Sequence, residues 1–143
     1  MTDGPPERPL LLIVSGPAGS GKSTVGERLC TAFPVERAVT ATTRPPRPGE
    51  VDGRDYHFLS ADDFAARREA GAFYEWARVH ECFYGTLRSE IDGKLDAGQD
   101  LLLLIDIQGA AAFREAAATD ARLAARLATV FILPPSLEEL EKR

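Results

Sequence analysis

The chain has 143 residues, of which 44% are hydrophobic and 27% are charged, and its formal net charge is −5 at pH 7. This length allows one hydrophobic core, or one core with an inserted lobe, and the acidic balance argues against a general nucleic-acid binder, which would carry a basic surplus. No apolar run approaches the roughly 20 residues that a membrane helix needs, and the start lacks a signal-peptide pattern, so we expect a cytoplasmic protein that does not bind membranes.

The first predicted strand, residues 10–15, is followed by a glycine-rich loop and a helix over residues 23–32. Gly16 and the run Gly21-Lys22-Ser23 match the G-x-x-x-x-G-K-[ST] pattern of a phosphate-binding loop. In such a loop, backbone N–H groups and the positive end of the helix bind phosphate oxygens. Lys22 can reach the outer phosphates, and the Ser23 hydroxyl can hold Mg²⁺. The pattern predicts a nucleotide-binding protein; the alternative is an ordinary glycine-rich turn between a strand and a helix.

After this loop the chain alternates between predicted strands and helices. Strands are predicted at residues 35–42, 55–59, 72–79, 101–106 and 128–133. Helices are predicted at residues 60–70, where Ser60 begins a capping signal and Gly71 ends the helix, at residues 87–97, and from residue 108 onwards. A last helix begins at Ser136, and residues 1–9 are expected to form a disordered lead-in.

Three buried runs that alternate with helices imply an α/β fold with a parallel sheet flanked by helices. Residues 44–86 break this rhythm and are interpreted as an inserted lobe, so that the core comprises residues 10–43 and 87–143. Ligands of open parallel sheets bind beyond the carboxyl ends of the strands. Gly16 and Asp106 each follow a buried run and therefore mark the expected site.

Two further segments indicate a substrate. The first begins Thr40-Ala-Thr-Thr-Arg-Pro-Pro-Arg-Pro-Gly and continues to Phe58; the second comprises Phe73-Tyr-Glu-Trp-Ala and Phe83-Tyr-Gly-Thr. With these segments, the phosphate loop and Asp106-Ile-Gln-Gly, the chain resembles the guanylate kinase family, whose members transfer the γ-phosphoryl group of ATP to GMP. The resemblance runs from about residue 12 to residue 143. It implies a P-loop kinase core with an inserted GMP-binding lobe.

The resemblance also implies a role for individual residues. The ATP-binding residues would be Gly16, Pro17, Ala18, Gly19, Ser20, Gly21, Lys22, Ser23 and Thr24, with Mg²⁺ at Ser23. The GMP-binding residues would be Thr40, Arg44, Arg47, Tyr56, Glu75, Tyr84, Thr86 and Asp106. Among them, the arginines would hold the GMP phosphate with the tyrosine hydroxyls, and Glu75 would face the guanine edge with Thr40 and Thr86 near O6.

Four residues are expected to act in catalysis: Lys22, Arg44, Arg47 and Asp106. By the resemblance, Asp106 would organise metal-bound water or the Arg47 side. His57 follows Tyr56 on a predicted strand, so its side chain should point to the opposite face, and we interpret it as structural. We expect GMP and dGMP to be accepted over AMP.

The chain departs from the family pattern in two places. Leu104 stands where the family usually has an acidic residue, for which we expect slower turnover. The last predicted helix has a start signal and no stop signal, and family members continue for several dozen residues that include a lid, another strand and closing helices. We therefore expect a C-terminally truncated chain that binds GMP but transfers phosphoryl groups poorly.

Two other functions remain open from the sequence. A non-catalytic guanylate-kinase-like module would bind proteins instead of nucleotides, but such modules typically have degraded phosphate loops, whereas Gly21-Lys22-Ser23-Thr24 is complete here. A P-loop kinase for another small phosphorylated molecule would lack the guanine-side set of Thr40, Glu75 and Thr86.

Overall fold

The computed structural model describes residues 9–17 and 19–133. In chain order, the elements are β1 Leu11–Ser15, α1 Lys22–Ala32, β2 Glu36–Arg37, β3 Ala41–Thr42, β4 His57–Phe58, α2 Ala61–Glu69, β5 Phe73–Val79, β6 Cys82–Leu87, α3 Arg88–Asp96, β7 Leu101–Ile105, α4 Ile107–Ala118, α5 Ala121–Arg126 and β8 Leu127–Phe131. Three parts of the sequence predictions lie outside the described residues: the helix at Ser136, the loop residue Ala18, and the lead-in before Pro9. None of the helices within the described ranges is long and apolar enough to cross a membrane.

The chain divides into two compact units: Met1–Arg37 with Leu95–Arg143, and Ala38–Lys94. The first unit contains a four-stranded sheet in the order β2-β7-β1-β8, and all of its strand pairs are parallel. Helices α1 and α4 pack against β1 and β7. This arrangement confirms the predicted α/β fold with a parallel sheet flanked by helices.

Uniformly apolar runs form the two central strands of this sheet. Leu11, Ile13, Leu101 and Leu102 are all completely buried, as expected for strands that are covered on both faces. Ser15 pairs with Ile105, so the residues that follow β1 and β7 emerge at the same edge of the sheet. These are the residues of the phosphate loop and Asp106.

The second unit contains a mixed four-stranded sheet in the order β4-β3-β6-β5. Its hydrophobic cluster consists of Ala41, Phe64, Phe73 and Leu87, and the rings of Phe64 and Phe73 stack with centroids 4.4 Å apart. Phe64 belongs to α2, whose predicted start is confirmed because Ser60 Oγ accepts a hydrogen bond from the Asp63 N–H at 3.1 Å.

The prediction of one strand over residues 35–42 is wrong. The segment forms β2 and β3, which belong to two different sheets. Between them, the N–H of Val39 donates to the Glu90 carboxylate at 2.9 Å. Because a side chain from far along the chain takes this backbone donor, the strand ladder is interrupted there.

Strand β6 was not predicted, because the sequence favoured a direct transition from Gly85 and Thr86 into a helix. In the structure, β5 and β6 form a hairpin in which Val79 pairs with Cys82. The two turn residues are His80 and Glu81, and His80 has φ of 58°. This turn lacks the Asn-Gly or Asp-Gly pair that usually marks a two-residue hairpin.

The prediction of one continuous alanine-rich helix from residue 108 is also wrong. It is divided into α4 and α5, and the break lies at Thr119 and Asp120. Asp120 Oδ1 accepts from the N–H groups of Arg122 and Leu123, each at 3.1 Å. This side chain starts a new helix, as N-cap aspartates commonly do.

Candidate functional site

The phosphate loop follows β1 in the first unit, and two of its glycines have backbone conformations that other residues rarely adopt. Gly19 has φ of 77° and Gly21 has φ of 94°, which glycine adopts without steric cost. The Ser20 N–H donates to the carbonyl oxygen of Pro17 at 3.1 Å and closes the turn. The local structure therefore requires glycine at these two positions of the motif.

Gly16 and Ser20 form the tightest part of the loop. A Cβ atom on Gly16 would lie 2.7 Å from the carbonyl oxygen of Ile132 and 2.8 Å from Ser20 Oγ, so only glycine fits there. The Ser20 hydroxyl is buried and has no hydrogen-bond partner among the described residues. Since buried polar groups nearly always have a partner, this hydroxyl is suited to a ligand oxygen.

In the part of the chain that the structure describes, helix α1 begins without the side-chain cap that three other helices have. The side chains of Ser60, Asp106 and Asp120 cap α2, α4 and α5, whereas within the described part of the chain no side chain caps α1. The first N–H groups of a helix need an external acceptor, and a phosphate can supply it. The first turn of α1 has no acidic residue that would repel an anion.

Lys22 is the first residue of α1, and its side chain folds back over the phosphate loop. Its Nζ donates to the Gly16 carbonyl oxygen at 2.9 Å. Ser23 and Thr24 follow in the first turn and are exposed. The loop therefore combines an ammonium group, helix N–H groups and hydroxyls within nine residues, which is the donor set that a polyphosphate needs.

Asp106 caps α4: its Oδ1 accepts from the Gly109 N–H at 2.7 Å. The side chain is exposed, and it lies at the sheet edge from which the phosphate loop also emerges. Arg47 belongs to the other unit. The role of Asp106 toward metal-bound water or Arg47 stays a prediction.

Leu104 contacts α1 through its side chain. A Cβ atom on Gly26 would lie 2.7 Å from Leu104 Cδ1 and 3.0 Å from Cδ2. Leu104 stands where the family usually has an acidic residue, and it fills apolar space between β7 and α1. It contributes packing and no charge.

In the second unit, Arg44 is the centre of a polar cluster. Its Nη1 and Nη2 donate to the two carboxylate oxygens of Glu50 at 2.8 and 3.0 Å, a bidentate pair. The guanidinium carbon lies 5.2 Å from the ring centroid of Tyr56, and the Tyr56 and Tyr84 rings contact edge to face with centroids 6.1 Å apart. Three of the predicted phosphate-binding residues, Arg44, Tyr56 and Tyr84, are thus brought together.

Hydrogen bonds within this cluster stabilise the charged forms of Arg44 and Glu50. The hydrogen bond to Glu50 is the largest cause that raises the pKa of Arg44, and hydrogen bonds to Tyr84 and Tyr56 raise it further. Hydrogen bonds from the Arg44 side chain and the Arg47 N–H lower the pKa of Glu50 to about 2. Both groups are therefore ionised throughout the physiological range.

Glu50 was not predicted as a site residue. It organises both arginines, because Oε1 also accepts from the Arg47 N–H at 2.7 Å. The spacing Arg44-x-x-Arg47-x-x-Glu50 places one carboxylate among the basic residues of the loop, and that is the signal that could have indicated it. The Arg47 residue itself is exposed.

Glu75 and Thr86 form a hydrogen-bonded pair across β5 and β6. Thr86 Oγ1 donates to Glu75 Oε1 at 2.7 Å, and Thr86 is completely buried. Tyr84 lies two residues before Thr86 on β6, so the two side chains share a face of the sheet. The same surface therefore carries Glu75 and Thr86, which are predicted to bind the guanine base, and Tyr84, which is predicted to bind the phosphate.

Gly85 allows this pair to form. A Cβ atom there would lie 2.8 Å from Phe73 Cδ1 and 2.9 Å from the Glu75 carbonyl oxygen. The register of β5 shifts between Phe73 and Glu75, as in a β-bulge, which commonly redirects a side chain beside a site. Thr40 also lies in this unit, and its carbonyl oxygen accepts from the His57 N–H at 2.8 Å.

The chain is similar to known guanylate kinases over almost its whole length. The family model described as guanylate kinase matches residues 8–143. Guanylate kinase of Rhodopseudomonas palustris strain HaA2 is 46% identical over 137 residues, which are 95% of this chain and 60% of that protein. Guanylate kinase of Maricaulis maris strain MCS10 is 47% identical, with the same coverage.

A solved structure agrees with these similarities. The crystal structure of guanylate kinase from Anaplasma phagocytophilum has a TM-score of 0.71 and 35% identity, and the match covers 94% of this chain and 64% of that one. The chain spans about three fifths of the length of the two curated relatives named above. The resemblance inferred from the motifs is confirmed, and the chain belongs to the guanylate kinase family.

Proposed function

We propose that this chain carries the nucleotide sites of a guanylate kinase, which transfers the γ-phosphoryl group of ATP to GMP or dGMP and releases ADP. The observation that carries the proposal is the surface of the second unit on which the Arg44 cluster and the Glu75–Thr86 pair occur. One end of it suits a phosphate and the other suits a guanine edge. Tyr84 and Thr86 are about 7 Å apart along β6, which leaves room for a ribose.

The acceptor phosphate is assigned to Arg44, Arg47, Tyr56 and Tyr84. A guanidinium presents paired donors to phosphate oxygens, and Glu50 holds that of Arg44 in one orientation. A tyrosine hydroxyl that accepts from Arg44 still has its own O–H to donate. The phosphate of GMP would thus meet a preformed set of donors.

Guanine selection is assigned to Glu75 and Thr86, with Thr40 near O6. The edge of guanine offers two donors, N1–H and N2–H, beside one acceptor, and a carboxylate with hydroxyls complements this arrangement. Adenine would place an acceptor against the Glu75 carboxylate. A site with polar groups left unpaired rejects an analogue by about 10⁴-fold.

The donor side is assigned to the phosphate loop and the start of α1, residues 16–24. The ATP phosphates would accept from loop and helix N–H groups, from the Ser20 hydroxyl and from Lys22, whose ammonium group would exchange the Gly16 carbonyl for phosphate oxygens. Phosphoryl transfer requires positioning and charge neutralisation. No general base is required, because the attacking phosphate oxygen of GMP is already a nucleophile.

The residues present fit a divalent cation that arrives with ATP. Within the described residues, no group of three or more His, Cys, Asp or Glu side chains could hold a metal by itself. The Ser23 hydroxyl and the exposed Asp106 carboxylate are oxygen donors at one sheet edge, and oxygen donors with phosphate oxygens and water suit Mg²⁺. When bound, Mg²⁺ neutralises charge on the β- and γ-phosphates. Ser23 would hold it directly, and Asp106 would orient a water beside it.

The alternative is a non-catalytic interaction module of the same family. A module without nucleotide chemistry has no need of a buried unpaired hydroxyl at Ser20 or of an α1 start without a side-chain cap, which are features of the described part of the chain. These features favour the enzyme. The inserted acceptor lobe at residues 44–86 and a cytoplasmic location are part of the same proposal.

The test is ADP release from ATP and Mg²⁺ with GMP or AMP as acceptor. We expect slow release that depends on GMP, exceeds the release with AMP by at least about 100-fold, and disappears in Lys22→Ala. Binding of GMP without any ADP release in the natural full-length protein would instead support the non-catalytic module. Equal rates with AMP and GMP would contradict the assignment of the guanine edge.

A further inference from the structure

Glu90, in the first turn of α3, is a buried carboxylate that none of the proposed steps uses. It is 8% exposed, and its two oxygens have three partners in the second unit. The Val39 N–H donates to Oε2 at 2.9 Å, His57 Nε2 lies 2.9 Å from Oε1, and Lys94 Nζ forms an ion pair with Oε2.

The carboxylate of Glu90 is held in its ionised form. Burial alone raises the pKa of Glu90, but the hydrogen bonds from Lys94, the Val39 N–H and His57 outweigh it, so that the net pKa lies below the ordinary value. An ionised acceptor forms stronger hydrogen bonds than a neutral one. Loss of the carboxylate would therefore release the two segments that contain Val39 and His57.

Two of these partners are the direct neighbours of predicted GMP-binding residues. Val39 precedes Thr40, and His57 follows Tyr56. Successive side chains on a strand point to opposite faces, so Glu90 holds β4 from the face opposite to Tyr56. The His57 N–H also donates to the Thr40 carbonyl oxygen at 2.8 Å, which links the two segments directly.

Other charged groups surround this network. A cavity of about 340 Å³ beside it is lined by His57 and Glu90 and also by Asp52 and Arg67. Asp52 Oδ1 accepts from the Phe58 N–H at 2.9 Å, so it holds β4 from within its own loop. Glu90, by contrast, connects β4 through its side chain to the segment that precedes Thr40.

We propose that Glu90 is a positioning residue of the acceptor site, because it ties the segments that carry Thr40 and Tyr56 to one carboxylate. This inference rests on the proposed function, since Thr40 and Tyr56 are taken to bind GMP. Glu90 does not touch the nucleotide. It keeps a base-side hydroxyl and a phosphate-side hydroxyl at a constant separation.

The test measures GMP and ATP dissociation constants by calorimetry for Glu90→Ala, Glu90→Gln and His57→Phe. We expect GMP to bind about tenfold more weakly to Glu90→Ala and His57→Phe, equal to ~1.4 kcal/mol, with ATP affinity unchanged. His57→Gln, which keeps an N–H donor, should recover most of the loss. The control Lys94→Met removes the ion-pair partner of Glu90 on its own helix and keeps the groups that bond Glu90 to Val39 and His57, so it should change GMP affinity less than about twofold.

A second measurement, amide hydrogen exchange without nucleotide, reads the positioning itself. In Glu90→Ala the Val39 and His57 amides should exchange at least about tenfold faster than in the wild type or in Lys94→Met, because their segments lose a shared anchor. If Glu90→Ala does not fold, Glu90→Gln, which has one oxygen acceptor in place of two, should still weaken GMP binding, and His57→Phe should speed exchange of the His57 amide while the Val39 amide keeps its bond to Glu90.

The outcomes separate this inference from the proposed function. Wild-type protein that does not bind GMP contradicts the proposed function. Wild-type GMP binding with unchanged affinity in Glu90→Ala and His57→Phe overturns the positioning role alone, whether or not thermal stability falls. Equal losses of ATP and GMP affinity also overturn it, because they would indicate general destabilisation.

Discussion

At the scale of single residues, Glu50 has a larger part in the proposed acceptor site than its sequence position indicates. It orients the Arg44 guanidinium with both carboxylate oxygens and accepts the Arg47 N–H. An arginine that is already fixed loses less side-chain entropy when it binds a phosphate than a freely rotating one does. Glu50 would thus prepare the proposed phosphate site although it has the same sign of charge as a phosphate.

The pH dependence of stability should report this contact. The folded-state pKa of Glu50 is about 2, below the ordinary value of 4.5, so its contribution is complete above pH ~4.5 and is lost as pH falls toward 2. The free energy of unfolding should therefore fall less steeply between pH 5 and pH 2 in Glu50→Gln than in the wild type. Urea titrations at several pH values measure this slope.

The control for this experiment is Glu69→Gln, at the exposed end of α2. It should keep the wild-type slope. A Glu50→Gln protein with the same slope as the wild type would show that the Arg44–Glu50 pair does not contribute to folding stability in this pH range.

At the scale of secondary-structure elements, two helical glycines differ in their surroundings. A Cβ added to Gly93 in α3 would meet no described atom within 4 Å, whereas a Cβ added to Gly26 in α1 would meet three atoms of Leu104 at 2.7 to 3.3 Å. Helix α1 therefore approaches β7 closely enough to require glycine. The open position in α3 makes no such demand.

Alanine substitutions should distinguish the two helices. Gly93→Ala should raise the free energy of unfolding by about 0.5–1 kcal/mol, because alanine loses less backbone entropy in a helix. Gly26→Ala should lower it by about 1 kcal/mol or more, since overpacking outweighs that gain. Chemical denaturation measures both, and the double variant Gly26→Ala, Leu104→Ala should lose less free energy of unfolding than the sum of the two single variants, because the shorter side chain at position 104 removes the overlap. A Gly26→Ala protein as stable as Gly93→Ala would contradict the close packing.

At the scale of the whole molecule, the predictable parts are those determined by local sequence. The buried runs that form β1 and β7, the phosphate loop and the Ser60 cap each depend on a few consecutive residues. The wrong predictions arise from contacts between distant residues. The strand over residues 35–42 is interrupted by Glu90, 51 residues away from Val39.

In the candidate site, too, the short motifs were predictable and the contacts between distant residues were not. The resemblance to the family indicated Arg44, Glu75 and Thr86, and the structure brings Glu75 and Thr86 into contact through a hairpin that was not predicted. The spacing Arg44-x-x-Arg47-x-x-Glu50 could have indicated Glu50, whereas Glu90 could not be assigned from the sequence, because its role depends on which backbone and side-chain donors the fold places around it.

The central claim is that the second unit recognises guanine through Glu75. Its most direct test is the ratio of AMP to GMP dissociation constants, measured by calorimetry for the wild type, for Glu75→Ala and for the control Glu81→Ala in the exposed hairpin turn. We predict a preference for GMP of at least about 100-fold in the wild type and in Glu81→Ala, and its loss in Glu75→Ala. Full discrimination by Glu75→Ala, or no preference in the wild type, would contradict the account.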